Sequence, residues 1–136
     1  MVDSVYTPIR AALELTLDSV SGLPPFARQN VDFDPTPDDT FIRAQFTPTQ
    51  RRPSARGPDP QMQYLGLYNL LVCTPENVGA GPGLQIAELI VETLDATKSA
   101  TNSGIIVRIE YAELGLSYPD PPHYCTPVTI SWYSYH

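Results

Sequence analysis

The stretch Met62-Gln63-Tyr64-Leu65-Gly66-Leu67-Tyr68-Asn69-Leu70-Leu71-Val72-Cys73-Thr74 decides how this chain folds. Successive side chains of a strand point to opposite faces. Met62, Tyr64, Tyr68, Leu70 and Val72 therefore share one side, and Leu65, Leu67, Leu71 and Cys73 the other. Both sides are apolar, which marks a strand that is either central and covered or placed at a subunit contact. Just upstream, Thr40, Ile42, Ala44 and Phe46 alternate with Phe41, Arg43, Gln45 and Thr47, the pattern of a half-buried strand that Pro48 is expected to end. Earlier still, Thr7 and Pro8 supply a cap and a first-turn proline, and Ile9, Ala12, Leu13, Thr16, Leu17 and Val20 recur at helical spacing. This helix, expected over residues 8–20, sets Arg10, Glu14 and Asp18 toward solvent and stops at Gly22, Pro24 and Pro25.

Downstream, Gly79-Ala80-Gly81-Pro82 breaks the chain, and a second helix is expected over residues 82–97 with Leu84, Ala87, Ile90, Val91 and Leu94 inward. Ile105, Val107, Ile109 and Tyr111 then alternate with Ile106, Arg108, Glu110 and Ala112. A last strand over Tyr124–Tyr135 sets Val128, Ile130 and Trp132 against Thr129, Ser131, Tyr133 and Tyr135. The order is helix, strand, strand, helix, strand, strand. It predicts an α+β fold: one mixed or antiparallel sheet of about four strands with two helices packed on one face. The strands flanking the second helix are candidates for a parallel pair with a right-handed crossover.

A length of 136 residues fits a single domain, 1–136. One residue in four is Val, Ile, Leu or Phe, above the roughly 20% below which chains stay disordered, so a core forms without metal or disulfide. Fifteen prolines, grouped around residues 24–60 and 119–127, predict long stiff connections. A net charge of −7 argues against a dedicated nucleic-acid binder, whose affinity comes from neutralising phosphates. No apolar run approaches the roughly 18 residues of a membrane span, and no basic-then-apolar leader opens the chain. The expectation is a soluble protein of cytoplasmic origin with no membrane partner. In a reducing cytosol, Cys73 and Cys125 are expected as buried thiols rather than a bridge.

Chemistry-bearing motifs are weak. Gly79–Gly83 lacks the lysine of a nucleotide loop and the spacing of a dinucleotide fingerprint, and reads as a turn into a helix. Asp32, Asp34, Asp38 and Asp39 match no calcium loop. His123, Cys125 and His136 fall short of a zinc site. Glu110 and Glu113 are expected on opposite strand faces, and no serine sits in a nucleophile-elbow sequence. No metal, no cofactor and no enzymatic activity is expected.

Two features stand out. Residues 48–61 form an Arg/Pro-rich hairpin loop with three of the eight basic residues, Arg51, Arg52 and Arg56, and no large apolar side chain before Met62. Fixing each backbone residue costs about 1–2 kcal/mol, so the loop is either a bare hairpin tip or an arm ordered when an acidic partner docks on those arginines. The second feature is Tyr133 and Tyr135, which face away from Val128, Ile130 and Trp132. Tyrosine joins a large ring to a polar tip and is common at subunit contacts. With Leu65 and Leu67 on the second apolar side of the 62–74 strand, they are the subunit-interface candidates.

The chain resembles the tail-terminator-like proteins of long-tailed bacteriophages. The resemblance runs through Ile9-Arg10-Ala11-Ala12-Leu13, Asn30-Val31-Asp32-Phe33 before Pro35, Phe41-Ile42-Arg43, Gly66 and Tyr68. It continues through Pro75 and the glycine turn, Ala87 and Ile90, Val107 and Pro127-Val128-Thr129-Ile130-Ser131-Trp132. It implies a non-enzymatic virion protein of the tail and neck, assembled in the host cytoplasm. It further implies a homohexameric ring of identical subunits that caps the tail tube, ends its polymerisation, contacts the tail tube protein and receives the head-tail connector or stopper protein. Genomic DNA would pass through the lumen without specific binding. The alternatives are another connector or head-completion protein of the neck and, from a different class, a monomeric binding module that uses the arginine loop.

Overall fold

The computed structural model describes residues 5–20, 22–27, 36, 38–53, 61–76, 79, 81–94, 99–102 (backbone only) and 105–135. Along them run α1 (Tyr6–Asp18), β1 (Phe26–Ala27), β2 (Phe41–Pro53), β3 (Met62–Pro75), α2 (Gly81–Thr93), β4 (Ser99–Asn102), β5 (Ile105–Leu114), β6 (Tyr118–Asp120) and β7 (His123–Tyr135). The strands make one mixed sheet in the order β1-β2-β3-β7-β5-β4, with β6 also paired to β7. Among the neighbouring strands of the described residues, only β1 and β2 pair in parallel.

The α+β class agrees with the sequence, and the four long strands are those its alternation marks. The expected count of about four strands and the six-element order are corrected, because β1, β4 and β6 join the sheet. Strands of two to four residues carry too little periodicity to read. The strands flanking α2, β3 and β5, do run parallel, each being antiparallel to β7, but they are not neighbours, because β7 lies between them.

Both helices cover the same face. Ile9, Leu13 and Leu17 of α1 and Ala87 and Ile90 of α2 pack with Ile42, Leu70, Val72, Val107, Ile130 and Trp132 of the sheet into one buried core. Each large aliphatic side chain placed there contributes about 1.5–3 kcal/mol. In α2 the inward stripe is shifted: Gly83 is buried while Leu84 is exposed. A Cβ on Gly83 would stand 3.2 Å from Thr126 Oγ1, so the start of α2 lies close against β7.

Pro48 does not end β2. The Ile42 amide donates to the Pro25 carbonyl (2.9 Å) on the outer edge of the sheet. Backbone groups of alternate residues point the same way, so the donor that Pro48 lacks falls on that same free edge. The ladder to β3 continues past a bulge at Pro48/Gln50 as far as Pro53 opposite Met62.

A second bulge, between Ile109 and Tyr111, reverses the expected facing of β5. Tyr111 now pairs with Ser131 on the uncovered face, and Ala112 packs toward the core. Glu110 accepts a 2.9 Å hydrogen bond from Ser131, which puts it on the same face as Glu113 rather than opposite it.

The cysteine expectation is also corrected: Cys73 and Cys125 are joined as a disulfide. The β3–β7 register sets them directly opposite one another, with Cα atoms 4.2 Å apart. That register cannot be read from their separation of 52 residues.

Candidate functional site: the open face of the sheet

The face away from the helices has three zones along the strands. At one end, Ala27, Phe41, Cys73 and Cys125 form a small second core with Leu71 against it. The His123 ring meets Phe41 edge-on at 5.0 Å, and its Nε2 donates to the Asp39 carbonyl (3.1 Å). The middle zone is polar, with Asn69 opposite Thr129 and Ser131 bonded to Glu110.

The far end holds the four residues named from the sequence. Leu65 lies opposite Tyr133, Leu67 opposite Ser131, and Gln63 opposite Tyr135. Leu65, Leu67 and Tyr133 are half-buried and Tyr135 is 42% exposed. The two tyrosine rings meet edge to face at 6.0 Å, and Gln63 Nε2 donates to the Tyr135 hydroxyl (3.2 Å). The register thus gathers Leu65, Leu67, Tyr133 and Tyr135 into one patch of ordered aromatic and aliphatic surface, the composition that contact surfaces favour.

The arginines diverge. Arg51 lies opposite Tyr64 on the helix side of the hairpin, where its Nε donates to the Tyr64 hydroxyl (3.3 Å) and its guanidinium sits 5.8 Å from the ring centroid. The hydrogen bond to Tyr64 raises the Arg51 pKa above its ordinary value. Arg52 lies on the other face, its Nε donating to Gln63 Oε1 (3.0 Å), next to Tyr135. The expected arm of three arginines is therefore not one surface: Arg51 is tied to an aromatic cluster of Tyr6, Phe46 and Tyr64, and Arg52 borders the tyrosine patch. Arg56 lies outside the described residues, as do His136 and Asn30–Asp34 with Asp32 among them.

The sequence reading gave no functional role to exposed Arg43, exposed Glu113, or Leu116 between β5 and β6 at 88% exposure. Leu116 had a sequence signal, a lone large apolar side chain between Gly115 and Ser117.

A two-layer sandwich whose open surface offers tyrosine, leucine and arginine side chains has the build of an interaction subunit. The model of the family described as phage tail terminator protein matches residues 8–132. The chain belongs to that family and is a structural protein of the bacteriophage tail. The fold is shared with a solved structure that aligns over 98% of this chain and 97% of its own, with a TM-score of 0.76 at 22% sequence identity. A search of curated proteins finds no match.

Proposed function

We propose that the chain is a tail terminator that forms a hexameric ring at the head-proximal end of the tail tube. In this role it ends tube polymerisation and joins the tail to the head connector or stopper. The family membership supports the tail role. The observation that carries the ring reading is the patch of Leu65, Leu67, Tyr133 and Tyr135, ordered and uncovered on a sheet face that the helices do not reach. A ring requires complementary surfaces on every subunit, and this patch is one of them. Six copies of a chain of net charge −7 make a strongly negative ring, which would let DNA pass without adhering. Arg52, beside the patch, is then placed to meet an acidic protein partner such as the tube or the connector.

Electron microscopy of the protein alone and mixed with tube subunits tests the reading. Six-fold rings on one end of tubes, and tubes that stop growing when the protein is added, are expected. Tubes of unlimited length with undecorated ends would reject it.

A further inference from the structure

Two opposite edges of the sheet carry matching features at the same height. Across the ladders, Phe26 of β1 aligns with Ile42, Val72 and Thr126. At that level, beside α1, the chain forms a surface groove of about 370 Å³ lined by Val20, Leu23, Pro24, Pro25 and Phe26, with Leu17 and Asp18. On the other side of β7, where β4 covers only the Ile105–Arg108 end of β5, Leu114 lies opposite Val128 and residues 115–117 link β5 to β6 along Thr126 and Pro127. Leu116 is 88% exposed on this link, yet the link is fixed on both sides of it. The Gly115 amide donates to the Pro127 carbonyl (2.8 Å), and the hydroxyls of Ser117 and Thr126 are 2.9 Å apart. A side chain at Gly115 would run into the Pro127 ring 2.7 Å away, so glycine allows the link to sit this close to β7. An exposed leucine held on a link fixed at both ends has already met much of the entropic cost of being presented, as binding knobs do.

Charge follows the same division. On the open face of the groove edge stands Arg43, exposed, with its guanidinium 5.2 Å from the Phe41 ring centroid. On the open face of β5 stands Glu113, exposed and paired with Thr129, two residues along the strands from the Arg43 level. Among the described residues neither has an ion-pair partner.

We infer that adjacent copies of this chain meet edge to edge, head to tail: Leu116 of one copy seats in the Val20–Phe26 groove of the next, and Glu113 of the first pairs with Arg43 of the second. Knob and socket lie on different edges, so the contact is heterologous and repeats around a ring instead of closing as a pair. The inference rests on the ring reading above and names a lateral contact in addition to the tyrosine patch.

Native mass spectrometry and electron microscopy of the full chain, alone and on tube ends, test it with Leu116→Asp, Arg43→Glu, Glu113→Arg and the Arg43→Glu/Glu113→Arg double variant. Each single variant is expected to weaken ring formation about tenfold or more, and the double variant to recover most of that loss. In a Leu23→Cys/Leu116→Cys variant, oxidation is expected to give a covalent ladder extending beyond the dimer. The substituted positions are exposed or half-buried, and unchanged circular dichroism and thermal melting confirm that each variant is folded. Rings unaffected by all three single variants, or cross-linking that stops at the dimer, overturn the edge contact while leaving the ring reading in place. Wild-type protein that makes no ring, alone or on tubes, overturns both.

Discussion

The two faces of the sheet use the same strands for different ends. On the helix side, Tyr68, Leu70, Ile130 and Trp132 are buried to 1% exposure or less, and the Trp132 ring stacks on Phe46 at 5.1 Å with 6° between planes. On the open side, the neighbours Leu65, Leu67 and Tyr133 are only half covered, with Asn69 and Thr129 beside them. Close packing makes the first face intolerant of change, since a core side chain removed leaves a cavity its surroundings fill only in part. On the second face the buried part is the small core of Ala27, Phe41, Cys73 and Cys125, and the end around Leu65, Leu67 and Tyr133 contributes less to the fold of one copy.

Substitutions can break this division. Trp132→Ala should be the most damaging, with a loss of about 3–5 kcal/mol in denaturant unfolding. A cost under 1 kcal/mol would mean that the helix-side face is not the core. Gly66→Ala comes next, at about 1–3 kcal/mol. Its Cβ would clash with the Trp132 ring and lie 2.7 Å from the Thr47 carbonyl oxygen, so the glycine makes room for the indole.

Tyr133→Ala on the open face should shift the melting of a single copy by less than Gly66→Ala does, a cost of about 1 kcal/mol or less, while reducing ring assembly in microscopy. A large stability loss with assembly intact would reverse the roles of the two faces. Arg52→Ala is the mildest, within about 0.5 kcal/mol for folding, because Arg52 and its partner Gln63 bond at the surface. Its effect should appear only as weaker docking to an acidic partner, measured as salt-sensitive binding to purified tube or connector protein.

Much of this division was legible beforehand. The alternation in residues 62–74 and 124–135 assigned Tyr68, Leu70, Ile130 and Trp132 to one side and Leu65, Leu67, Tyr133 and Tyr135 to the other, and the register confirms both sets. The bulge at Ile109/Tyr111 was not legible, because an extra residue leaves hydrophobicity nearly unchanged while turning Tyr111 and Glu113 to the open face beside Glu110. Nor was the separation of Arg51 from Arg52: adjacent basic residues look like one patch in a sequence, and the pairing of β2 with β3 sends them to opposite faces.

By itself the sequence determined the α+β class, the two helices, the four long strands and the faces of three of them, because helical and strand periodicities are local properties of side-chain order. Tertiary structure decided that β7 lies between β3 and β5, that Cys73 meets Cys125, and that Arg43 and the Val20–Phe26 groove stand on the edge opposite Glu113 and Leu116. Those outcomes depend on which strands pair and in what register, a choice made by the burial of the whole core and recorded in no single stretch of chain.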